Sequence, residues 1–443
     1  MSKRNFTLLI IVLIIITAIA FWFFYFMKPS APSDDGEGGI NFLSWFNPFG
    51  SSTPTPTPEP SPSPTPTEEP ETETTISKLK RVSSMPVAGF TVFQKERFKE
   101  IPVVPPVEQE PPLLNLLKKP IPPTTEFVPA LRYVAKATGN IYQTFADNID
   151  ERKFSSTVIP KVHEAYFGNK GNAVIMRYLK TDARTIQTFV GILPKELLGG
   201  DTSLENEVVG SFLPDNITDI SLSADTLKMF YLFNVGTDAD TAIGTTLDFL
   251  NNKKAQIFES PFTEWLSSWP NSKIITLTTK PAANVPGQVY AIDLNTKAFS
   301  KILGGINGLT TLASPSGNLM LYSDNNLSLS LYNTITKAST PLGLKTLPEK
   351  CVWGSGSDVI YCAVPTNALG GGYPDPWYQG EVSFADQLWK INALDGITRM
   401  ILDPTTVAGG EITDGIKLAL DEKQNYLFFI NKKNSYLWEL KLN

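Results

Sequence analysis

A four-residue polar turn between two apolar runs recurs six times along this chain, and few architectures accommodate such a rhythm. The turns read GNKG from Gly168, SADT from Ser223, PNSK from Pro270, SPSG from Ser314, GSGS from Gly354 and DEKQ from Asp421. Each leads within a few residues into an apolar run, such as AVIMRYL from Ala173, KMFYLF from Lys228, LMLYS from Leu319 or YLFFIN from Tyr426. A loop of variable length follows, then an aromatic-rich run such as QVYAIDLN or QLWKINA, then a turn and a polar run. The short lengths mark all of these as strands, and helical periodicity is almost absent. Turn-to-turn spacings run from about forty to about sixty-seven residues, which fits a repeat built from sheets.

Four antiparallel strands per unit, repeated radially, describe a β-propeller. A lone four-stranded sheet leaves two apolar faces in water, whereas a ring of blades buries each face against a neighbour. Six turns give six blades. A seventh is legible upstream, with Gly89 to Phe93 as first strand and Ala130 to Ala135, Asn140 to Phe145 and Lys153 to Val158 as the others. The Pro-rich insertion from about Lys99 to Pro129 then reads as a long loop, with Leu113 to Leu117 as a helical turn inside it. The last unit holds three strands, and Ser77 to Val82 is placed to supply its missing edge, closing the ring. The expected fold class is all-β, a seven-bladed β-propeller over residues 77–443, with six or eight blades as the alternatives.

The segment Ser314-Pro315-Ser316-Gly317-Asn318-Leu319-Met320-Leu321-Tyr322 resembles the blade motif of the WD40-like (PD40) propellers found in the periplasmic Tol-system protein TolB. That motif is roughly Ser-Pro-Asp-Gly followed by an apolar strand; here Ser316 replaces its aspartate, and the other turns match more loosely. The resemblance spans about Ser77 to Asn443 and implies a fold rather than an activity. The chain also resembles membrane-anchored surface proteins of candidate-phylum bacteria, a likeness that implies a location and no chemistry.

The N-terminal part has a different composition. Phe6 to Met27 is an uncharged run dense in Ile, Leu and Phe. As a helix it spans about 33 Å, enough for a hydrocarbon core of about 30 Å. The aromatics from Phe21 to Phe26 carry the run past the small residues Ala18 and Ala20, where a signal peptide would be cut. Lys3 and Arg4 precede it, and Asp34, Asp35 and Glu37 follow. Residues 1–27 are therefore expected to be a cytoplasmic tip and single transmembrane anchor, with the remainder outside the cell membrane. Residues 28–76 include TPTPTPEPSPSPTP and suit a disordered, Pro-rich stalk of polyproline II character.

Composition excludes much chemistry. One histidine, two cysteines and a net charge of −6 leave no zinc cluster, no histidine-rich metal site and no basic footprint for nucleic acid. No G-x-S-x-G, H-E-x-x-H or phosphate-binding glycine loop is present. His163 starts a blade strand and reads as structural. Neither catalytic residues, nor metal ligands, nor a cofactor are expected.

The loops between second and third strands differ in length, and the longest, Pro365 to about Ala385 in blade six, is the candidate site. Tyr373, Asp375, Trp377, Tyr378 and Glu381 combine aromatics and carboxylates suited to a protein, peptide or glycan partner. The alternative is that Trp377 and Tyr378 cover the end of the central channel and pack the loop onto its own blade. A non-catalytic binding or scaffolding module at the cell surface is the expected function. The competing expectation is a surface enzyme acting on glycans or peptides through Asp375, Glu381 and Asp386. Finally, Cys351 and Cys362 lie on the first two strands of blade six, and counting outward from the Gly354 turn sets them opposite each other across an antiparallel pair. A disulfide is expected there, with two buried thiols as the alternative.

Overall fold

The protein is described by a computed structural model covering residues 78–99, 124–196, 198, 207–367 and 370–442. These residues form seven four-stranded antiparallel sheets, the blades of a β-propeller. The anchor at residues 1–27, the stalk at 28–76 and the helical turn at Leu113 to Leu117 lie outside the described residues. Among those described, no helix is long and apolar enough to cross a membrane.

Every one of the six polar turns joins the first strand of a blade to its second, as in blade five, where Thr310–Ala313 turns into Leu319–Ser323. The fourth turn residue takes the left-handed conformation at Gly171, Thr226, Gly317, Ser357 and Gln424. Glycine does this without strain, while the other three are held by their surroundings. Side chains complete the turns: Asp421 Oδ1 accepts from Tyr426 N at 2.6 Å, and Ser314 Oγ accepts from Leu319 N at 3.1 Å.

Blade one departs from the sequence expectation. Its first two strands, Val87–Phe98 and Thr125–Ala135, pair continuously from Val87 opposite Ala135 to Phe98 opposite Thr125. The expected loop from Lys99 to Pro129 is thus partly strand, because Thr125 to Pro129 finds a partner in Gln94 to Phe98. The third strand, Ile141–Phe145, pairs only with Ala130 to Val134, so the ribbon runs on beyond the blade as a two-stranded arm. The fourth strand is reduced to Arg152–Lys153, since Phe154 turns into the core between blades one and two.

Ring closure uses the N-terminal strand. Leu79–Arg81 pairs with Leu437–Lys441 as the outer strand of blade seven. Lys441 N donates to Lys78 O at 2.9 Å and Val82 N to Leu437 O at 2.8 Å. The apolar cores lie between blades, as the repeat requires. Trp265 and Trp269 pack between blades three and four, and Trp353 with Trp389 between blades five and six.

Cys351 lies directly opposite Cys362, and a disulfide joins them with their Cα atoms 4.1 Å apart. Closing this short loop restricts the unfolded chain and contributes about 3 kcal/mol in the chain-entropy picture. Replacing both cysteines by serine is expected to lower the unfolding free energy by about that amount. Urea unfolding of the mutant and of reduced wild type should agree; equal stability of mutant and oxidised wild type would show that the bridge contributes nothing.

Candidate functional site

In a propeller the connections between second and third strands share one face with the blade-to-blade links. The blade-six loop leaves Val359–Pro365 on that face and returns at Asp386–Asn392, with a short helix α1 (Asp375–Tyr378) at its far point. It does not stay over its own blade. Ala283 N of blade four donates to both Asp375 carboxylate oxygens, at 3.1 and 3.2 Å. Gly372 N and Tyr373 N donate to Asn325 O of blade five, and Lys432 Nζ of blade seven donates to Trp377 O at 2.5 Å. The loop therefore spans blades four to seven. Tyr373, Trp377 and Phe384 form an apolar cluster beneath it with Leu327 and Leu347.

That cluster sits on a buried charge network. Lys350 Nζ contacts Asp414 Oδ1 at 2.5 Å, Asp386 Oδ2 at 2.8 Å and Gly415 O at 3.0 Å, and all three charged side chains are fully buried. Asp414 also accepts from Trp377 Nε1 and Phe384 N, each at 3.0 Å to Oδ2. Burial would raise the Asp414 carboxyl, but Lys350 and these donors hold it below its ordinary value. Asp386 receives less help. Burial outweighs Lys350 and pushes its carboxyl up to about 6, and its Oδ1 finds no partner among the described residues. Lys350 and Asp414 escaped the sequence reading. A lysine in the apolar context LPEKCVW was the available signal, because an unpaired charge is seldom buried.

The neighbouring residue, Glu349, faces the central channel. Water reaches its side chain, yet protein surrounds it, and burial raises its carboxyl against the hydrogen bond from Tyr378. Tyr378 Oη donates to Glu349 Oε1 at 2.5 Å. Together they close a recess of about 60 Å³ lined also by Ser267, Thr278, Thr310 and Thr311 from blades four and five. Asp219 of blade three accepts from Ser267 N and Ser267 Oγ, both at 2.6 Å. Burial pushes the Asp219 carboxyl up to about 6 in spite of those donors. Across the inner strands, Glu164 of blade two meets Lys417 of blade seven at 3.1 Å and Arg177 at 2.5 Å. Burial alone would raise Glu164; the two cations bring it down to about 2. His163 beside it is exposed, and partial desolvation with the neighbouring Arg177 lowers its pKa.

The structure divides the residues that the sequence singled out. Tyr373 and Trp377 are only 5% and 4% exposed, so they anchor the loop and present no free aromatic face. They are buried because the loop crosses four blades and needs its own apolar underside. Asp375 is partly buried against Ala283, whereas Tyr378, 39% exposed, and Glu381 reach solvent. Of the carboxylates considered for glycoside chemistry, Asp386 is locked to Lys350, Asp375 holds the loop to blade four and Glu381 reaches solvent. Asp219 and Glu349, which face the channel, lay too far apart in the chain to be connected from sequence.

No known protein family matches this chain, and no curated protein sequence does. Among solved structures, it is similar to an oligogalacturonate lyase in complex with manganese, at 9% identity and TM-score 0.44, over 71% of this chain and 85% of that one. The oligogalacturonate lyase of Vibrio parahaemolyticus gives the same score and identity over 71% and 86%. The WD40 repeats of RRP9 match at 9% identity and TM-score 0.45, over 71% of this chain and 91% of theirs. Such distant likeness concerns the propeller architecture and carries no argument about activity.

Proposed function

We propose that this chain is a single-pass cell-membrane protein whose propeller stands outside the cell and serves as a non-catalytic binding or scaffolding module. The location rests on the uncharged run Phe6 to Met27, the charges flanking it and the Pro-rich stretch at 28–76. One observation carries the binding reading: a loop held by a buried ionic network brings Tyr378 onto Glu349 of the link before blade six, beside an open recess. A recess of about 60 Å³ admits a few waters or one end group, not a whole sugar ring. Its hydroxyl and carboxylate lining suits an amine or hydroxyl group at the tip of a protein, peptide or glycan partner.

The test is crosslinking and pull-down from native membranes with wild type, Tyr378→Ala and Glu349→Gln. Capture of a specific partner is expected to fall at least about tenfold in both variants. Undiminished capture would place the binding surface elsewhere. A second reading rests on Asp219, whose carboxyl titrates at about 6 in the channel and could serve a surface enzyme as general acid. Glycan or peptide turnover that is abolished in Asp219→Asn would favour that reading over simple binding.

A further inference from the structure

The opposite face, where the polar turns emerge, holds a cluster of cations. The arm of blade one contributes Lys95, and the blade behind it contributes Arg132, Gln143 and Arg152. All four converge on a single carboxylate, Glu196, which arrives from the connection between the third and fourth strands of blade two. Lys95 Nζ and Arg152 Nη2 both contact Glu196 Oε1, Arg132 Nη2 lies 3.2 Å from Oε2, and Gln143 Nε2 donates to Oε1 at 3.2 Å.

Arg132 is held in place independently of Glu196. It is 3% exposed, and three further hydrogen bonds fix its guanidinium: to Gln143 Oε1 at 2.8 Å, Gly171 O at 2.7 Å and Asn172 Oδ1 at 3.1 Å. The rings of Phe93 and Phe154 lie 4.7 and 4.3 Å from its guanidinium carbon. Remove Glu196 and this cation stays in place. Three cations around one carboxylate leave two positive charges uncompensated at that point, so a second anionic ligand, or a better one, is favoured there. Grooves of about 340 and 480 Å³ lie on the two sides of Lys95 and Glu196, the first reaching Phe98 on the arm and Phe145 at the end of the third strand.

We propose that this cradle is a recognition site for an acidic side chain of a partner polypeptide, with Glu196 as the in-chain occupant that such a ligand displaces. A glutamate side chain of the chain itself already satisfies the geometry, which favours a peptide carboxylate over other anions. The grooves on either side give room for the residues that flank it. This site is separate from the channel mouth, and it stands or falls independently of the reading proposed there.

The experiment measures binding of a short oligo-glutamate peptide to the full chain in detergent or nanodiscs. Glu196→Gln removes the competing occupant and is expected to bind the peptide about tenfold more tightly than wild type, with the gain fading as salt rises. Adding Lys95→Gln or Arg152→Gln, both on side chains that water reaches, should abolish the gain. Peptide affinity in Glu196→Gln no higher than in wild type would make the cluster a structural latch and overturn the proposal. Equal tightening for oligogalacturonate would overturn the assignment to a polypeptide. Should Glu196→Gln fail to fold, Arg152→Gln in the wild-type background must weaken peptide binding at least about threefold, or the proposal fails.

Discussion

Replacing Lys350 by methionine is expected to lower the unfolding free energy of the propeller by about 3–5 kcal/mol. The substitution leaves Asp386 and Asp414, both fully buried, without the one cation that contacts them directly among the described residues. Water cannot compensate them, and a buried unpaired charge is among the costliest defects a core can hold. Urea unfolding measures the loss, and a change below about 1 kcal/mol would show that the network contributes little. Combining Lys350→Met with Asp386→Asn and Asp414→Asn should recover part of the stability, because the whole charge set is then removed. Trp377 hangs from Asp414, so protease cleavage within residues 365–385 should rise in parallel in the single mutant.

Glu439 is expected to give the propeller a stability that declines from neutral to alkaline pH. It lies on the third strand of blade seven, 3% exposed, and its Oε2 has no partner among the described residues. Burial raises its carboxyl from the usual 4.5 to about 8, against the opposing pull of Lys80. Folding therefore favours the protonated form: the stabilisation is complete below pH 4.5 and is lost as pH rises through about 8. At about 1.4 kcal/mol per pKa unit the full loss is on the order of 5 kcal/mol. Asp219 and Asp386 add slopes of the same sign, but theirs end near 6. Melting curves between pH 6.5 and 8.5 isolate Glu439. Wild type should lose stability across that range, and Glu439→Gln, neutral throughout, should not. Parallel curves for the two proteins would contradict the assignment.

Legibility followed periodicity. The turns were readable because each needs polar residues in a fixed place between apolar strands, and their strands were found where the turns put them. The Ser-Pro-Asp-Gly pattern was diluted for a physical reason: Thr226, Ser357 and Gln424 hold a left-handed turn position without glycine. The opposition of Cys351 and Cys362 followed from counting outward from one turn, since antiparallel register is set locally. The first three strands of blade one were placed correctly but its arm was missed, because the arm has no apolar face to alternate. Arg97 there is satisfied by Glu126 and Asp147, ion pairs that leave no period in the sequence.

What the sequence determined by itself is the ring: blade by blade, hydrophobic alternation and turn chemistry act over ten to twenty neighbouring residues and specify sheets that must stack. What only the tertiary structure decided is which side chains meet. Trp377 looks like an exposed anchor in GGGYPDPWYQGE and becomes a buried prop, because Asp414 and Lys432 of the next blade fold beneath it. Glu196 looks like any loop glutamate until Lys95 and Arg152 close on it from another blade. Contacts between blades join residues dozens of positions apart, and ring closure rather than local pattern sets their distances.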